Sequence, residues 1–101
     1  MVRKKRKVVW TKLATKQFNA AIKYIRKDSV QNSEKVKVTI LDKVMGLEDD
    51  RKVHRQDPYK RNNDGNYLYF EILHYRIVYY TTPNEVFIIR IRHTSREPKK
   101  Y

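Results

Sequence analysis

The chain has 101 residues, no cysteine, and a formal charge of +13 from 24 Lys and Arg against 11 Asp and Glu. Its length suits one domain around one core, and the missing cysteine excludes disulfides, thiol chemistry and cysteine-ligated zinc. With Gly at only 2 positions, a phosphate cradle built from glycine-rich backbone is excluded as well. Residues 1–50 carry 13 basic and 6 acidic side chains and residues 51–101 carry 11 and 5, so the excess is spread over the surface. Such a surface favours nucleic acid or an acidic protein as partner. No apolar run approaches the roughly 20 residues of a membrane span, and Arg3-Lys4-Lys5-Arg6-Lys7 lacks the apolar stretch of a signal peptide. The expectation is a cytoplasmic protein without membrane contact. It is read as one domain over 1–101, with a basic segment at 1–7 and a tail at 94–101.

Val8, Val9 and Trp10 read as a short first strand. Thr11 then supplies a hydroxyl to cap a helix whose apolar positions, Leu13, Ala14, Phe18, Ala21, Ile22 and Ile25, fall on one stripe to about Asp28. Ser29 caps a second helix with the stripe Val36, Ile40, Val44 and Leu47, ending near Gly46. Each helix has one apolar face and almost nothing separates them, so an antiparallel hairpin laid on a sheet is expected. From Arg51 to Asn66 periodicity fades, and Asp57-Pro58 and Asn62-Asn63-Asp64-Gly65-Asn66 read as a turn-rich connection that leaves room for one short strand. Its Arg51, Lys52, His54, Arg55, Lys60 and Arg61 are placed to flank a site. Tyr67 to Leu73, Tyr75 to Thr82 and Val86 to Arg92 then read as three strands too close in sequence for crossover helices, hence an antiparallel meander. The fold class is α+β, in the order β-α-α-β-β-β.

Strand periodicity sorts the side chains. Phe87, Ile89, Ile91 and His93 are expected on one face and Val86, Ile88, Arg90 and Arg92 on the other, with Arg76, Val78 and Tyr80 alternating against Tyr75, Ile77 and Tyr79. The helices take the apolar face, leaving Arg76, Arg90 and Arg92 on the exposed one, where they can hold phosphate or merely solvate the sheet. His93 falls at the strand exit, either as a packed cap or as a proton carrier beside Arg92 and Arg96. His54 and His74 have no spaced carboxylate or cysteine set around them, so neither metal nor other cofactor is expected. Tyr101 is either frayed or brought back to the arginine face.

Taken in order, "VVWTKLATKQFNAAIKYIRKDSVQNSEKVKVTIL", "NYLYFEILHYRIVYY" and "EVFIIRIRHTSREP" resemble the RelE/ParE superfamily of bacterial toxins from type II toxin-antitoxin modules, over about Val8 to Pro98. The resemblance implies a toxin neutralised by a cognate antitoxin that wraps around it. RelE-like members cut mRNA on the ribosome without metal, using the nucleotide's own 2′-hydroxyl; ParE-like members poison DNA gyrase and lack RNase activity. Because the arginine-histidine cluster joins proton chemistry to phosphate binding, the expectation is a ribosome-dependent mRNA endoribonuclease. On that reading Arg76, His93 and Arg96 are catalytic, and Arg61, Arg90, Arg92 and Tyr101 bind nucleic acid. The alternatives are a ParE-like gyrase inhibitor, with the arginines as an adhesive surface and His93 structural, and a non-toxic basic nucleic-acid-binding module.

Overall fold

The computed structural model describes residues 5–49, 54–96 and 98–101. Arg51 and Lys52 of the basic loop, and Arg3 and Lys4 of the amino-terminal run, lie outside the described residues. Strand β1 (Lys7–Trp10) leads directly into helix α1 (Lys12–Asp28). Thr11 fixes that junction, because its hydroxyl accepts from Ala14 N–H at 3.2 Å and donates to the Ile88 carbonyl at 2.8 Å, tying the helix start to the last strand. One residue separates α1 from α2 (Val30–Met45): the Ser29 N–H closes α1 on the Ile25 carbonyl, and its hydroxyl caps α2 by accepting from Asn32 N–H at 3.0 Å. The helices pack on one another as the expected hairpin.

A 3₁₀ turn, Gly46–Glu48, follows α2 and buries Leu47. The orphan carbonyls at this end attract a cation rather than the neighbouring acids, and Arg6 supplies it by donating from Nη2 to the Leu47 carbonyl at 2.7 Å. Part of the basic amino-terminal run is therefore structural. Strands β2 (Arg55–Gln56), β3 (Tyr67–Ile72), β4 (Tyr75–Thr81) and β5 (Glu85–His93) complete one sheet in the order β1-β5-β4-β3-β2.

The expected meander is observed for β3, β4 and β5. The two-residue β2 pairs antiparallel with β3 at the far edge, and β1 pairs parallel with β5, so the sheet is mixed. That polarity follows from topology: after the hairpin the chain crosses to the far edge and returns in three reversals, reaching β5 in the direction of β1. Leu73 and His74 make the β3–β4 turn, both at positive φ (51° and 68°), as a tight hairpin matched to strand twist requires.

Two expectations about faces are corrected. Leu13 is half exposed, because the buried stripe of α1 centres on Ala14 and Phe18. In β5 the face assignment inverts midway: Val86 and Ile88 are fully buried beneath the helices, while Phe87 and Ile89 are only partly covered. A β-bulge causes this, since Val78 faces Arg90 but its neighbour Tyr79 faces Ile88, leaving Ile89 as the extra residue. The core consequently joins Ala14, Phe18, Val36, Ile40 and Val44 of the helices to Ile77, Tyr79, Val86, Ile88 and Ile91 of the sheet.

Candidate functional site

The sheet face away from the helices carries Tyr67, Tyr69 and Glu71 on β3, Arg76, Val78 and Tyr80 on β4, and Arg90 and Arg92 on β5, matched across the strands by register. It is not an open wet face. The loop after β2 lies over it, with its own carboxylate as anchor: Asp57 is 2% exposed. Arg76 donates from Nη2 to Asp57 Oδ1 at 2.6 Å, the Tyr59 N–H donates to the same oxygen at 3.1 Å, and the Tyr101 hydroxyl donates to Oδ2 at 2.6 Å. A carboxylate so buried is tolerable only with such partners.

Asn63 shapes the loop that delivers Asp57. Its amide donates to the carbonyls of Asp57 and Tyr67, and its side-chain oxygen accepts from the N–H groups of Gly65 and Tyr67. Gly65 stands at φ 95°, a conformation that side chains rarely adopt. The aromatic residues then sandwich the cations. The Arg76 guanidinium lies 3.6 Å from the Tyr69 ring centre and 4.9 Å from that of Tyr59; Arg90 lies 4.5 Å from that of Tyr101.

Tyr101 is brought back rather than frayed. Its N–H donates to the Tyr59 carbonyl at 3.0 Å and its carbonyl oxygen accepts from Arg61 N–H at 2.7 Å, so the 98–101 segment runs beside the loop. Burial, together with the hydrogen bond and negative charge of Asp57, pushes its phenol far above the ordinary tyrosine range, against the opposing pull of Arg90 and Arg76. It is held as a neutral donor. On the helix side, burial alone pushes the Tyr79 phenol up to about 12, against the pull of Arg6. Its oxygen lies 2.6 Å from His54 Nδ1, so His54 packs under the sheet edge and not on the arginine face.

His93 closes its own turn. The Ser95 N–H donates to Nδ1 at 3.0 Å, the Ser95 hydroxyl lies 2.7 Å from the same nitrogen, and the Tyr75 ring meets the imidazole edge-on. Two hollows flank this strand exit. One, about 100 Å³, is lined by Arg76, Arg90, Arg92, Arg96, Lys99 and Tyr101; the second, about 590 Å³, lies between α1 and the end of β5, with Tyr24, Tyr75 and Arg96 along it. The first is smaller than the roughly 300–1,000 Å³ of small-molecule sites and fits a side chain of a partner better than a whole ligand.

The structure therefore gathers Arg76, Arg90, Arg92, His93, Arg96 and Tyr101 around one cleft. Arg61 joins it only through its backbone, with an exposed side chain. Sequence reasoning missed Asp57, Tyr59 and Tyr69. The available signal was an acid set between Arg55 and Lys60 in a basic loop, with an arginine embedded in an apolar strand as its possible partner.

Comparison with protein families gives a match to the ParE toxin of type II toxin-antitoxin system, parDE, over residues 8–98. No curated protein matches the chain. The match overturns the endoribonuclease expectation, because the family matched is ParE and not RelE; the catalytic roles written for Arg76, His93 and Arg96 belonged to that reading. The observed order, the expected β-α-α-β-β-β with the short β2 added, and the open mixed sheet match the fold expected of that family. The chain belongs to the ParE toxin family of type II toxin-antitoxin systems, and a cognate antitoxin is the partner that membership implies.

Proposed function

We propose that this chain inhibits DNA gyrase by protein contact, and that its antitoxin neutralises it by laying an acidic segment along Arg90, Arg92 and Arg96. The observation that carries the reading is the commitment of Arg76. A guanidinium meant to meet a developing phosphate charge should be free to address it, whereas Arg76 is paired with buried Asp57 and stacked between two tyrosines. Likewise His93 Nδ1 is occupied by its own turn. Arg92 and Arg96, by contrast, make no ion pair with any described residue and line both hollows at the strand exit. Unpaired surface cations steer and orient a partner, and reversing such charges places like against like across the interface.

The test is the double variant Arg92→Glu, Arg96→Glu. Affinity for the adjacently encoded partner should fall by at least about tenfold, and growth arrest should weaken, while thermal unfolding stays near that of the parent. Partner affinity and arrest both unchanged in a folded variant would put the working surface elsewhere.

A further inference from the structure

The 98–101 segment raises an electrostatic question. It carries Lys99 and Lys100 back onto a face that is already basic, where like charges oppose docking. What holds it is specific: two backbone hydrogen bonds to the Tyr59–Arg61 stretch, the Tyr101 hydroxyl on buried Asp57, and the Tyr101 ring between Arg90 at 4.5 Å and Lys60 at 5.5 Å. Asp57 is already paired with Arg76, and Tyr101 arrives as a neutral phenol. The docked segment adds Lys99 to the cleft, whose described lining residues then include five cations, Arg76, Arg90, Arg92, Arg96 and Lys99, against the two carboxylates of Asp57 and Glu71. Both carboxylates face Arg76, at 2.6 and 3.8 Å, and the other four cations make no ion pair with any described residue.

We infer that Tyr101 is a positioning residue which, hooked on Asp57, pins the 98–101 segment so that Lys99 completes a carboxylate-binding cleft with Arg90, Arg92 and Arg96. The ligand class is the carboxylate side chain of an acidic peptide. The inference rests on the acidic-partner reading above and adds how the site is assembled: part of the cation set is supplied by the closing segment and is present only while the hook is closed. A hollow of about 100 Å³ accepts one carboxylate-bearing side chain, and four converging cations around it suit a run of acids passing over the rim.

A double-mutant cycle separates positioning from mere proximity. The probe is a fluorescein-labelled oligoglutamate peptide, titrated against the folded full chain, Lys99→Ala, Tyr101→Ala and the pair. Exchange of the Arg61 amide, which donates to the Tyr101 carbonyl oxygen, reports independently whether the segment is docked. Lys99→Ala should weaken binding about two- to fivefold in the parent, as expected for one partly exposed charge contact. In the Tyr101→Ala background, with Arg61 protection lost, the same change should have no effect. Additive losses, or an unchanged Arg61 amide in Tyr101→Ala, would overturn the positioning role. The outcomes also separate the two readings. If Arg92→Glu with Arg96→Glu leaves oligoglutamate binding intact, or the parent does not bind it, the acidic-partner reading fails along with this one. If those arginines matter while Lys99 and Tyr101 act independently, only the present inference fails.

Discussion

Beneath the helices the sheet buries Ile77, Tyr79, Val86 and Ile88 against Ile40 and Val44, whereas on its opposite face the most deeply buried side chain is a carboxylate, Asp57. The first face is closed by apolar area, which is non-directional and tolerant of salt. The second is closed by one ion pair, a phenol hydrogen bond and stacked guanidiniums, each dependent on geometry and on its partner. Both faces are covered, and at the rim of the second Arg90, Arg92 and Arg96 make no ion pair with any described residue. A family whose members must be captured by a partner and engage a target gains from that division: the helix-covered face supplies stability, and the arginine face can present charge without supplying the core.

The contrast can be broken by substitution. Ile88→Ala should have the largest effect, about 3 to 4 kcal/mol, because a fully buried side chain contributes its transfer free energy and leaves a cavity. Urea unfolding at low salt and at about 0.5 M salt should give the same loss, since salt at that level shortens the screening length without weakening apolar burial. Asp57→Ala should cost less, about 2 to 3 kcal/mol. That is below the usual figure for breaking a buried pair, because Arg76 is 13% exposed and keeps its contacts with Tyr59 and Tyr69. The same variant should also detach Tyr101 and raise exchange at the Arg61 amide, which Ile88→Ala should leave protected. An Asp57→Ala loss as large as that of Ile88→Ala, with Arg61 still protected, would mean that the outer face is held by something other than this carboxylate. The smallest effect is the two- to fivefold change in peptide affinity expected for Lys99→Ala, which bears on the rim alone.

The inner face was largely legible in the sequence. Val36, Ile40, Val44 and Leu47 recur at helical spacing and all are buried, and Thr11 and Ser29 stand where they cap. The bulge at Val78/Tyr79 was not legible, because no Gly or Pro marks it and a strict two-residue period places Ile89 with Ile91. Nor was β2, whose two residues are too few to show any period. On the outer face the arginines were found from strand alternation, but their partners were not. The Asp57–Arg76 and Asp57–Tyr101 contacts span 19 and 44 residues, and nothing local in a turn-rich loop says which cation its acid will meet. The same gap left Arg76 reading as a free guanidinium, which favoured a chemistry that the ParE match does not support.

The most direct test of the account adds the purified chain, freed of its partner, to a gyrase supercoiling reaction and in parallel to a reconstituted translation reaction probed for mRNA ends. The account predicts inhibited or trapped gyrase and intact mRNA, with gyrase activity restored on adding the acidic partner. Cleaved mRNA on the ribosome together with unaffected gyrase would contradict it.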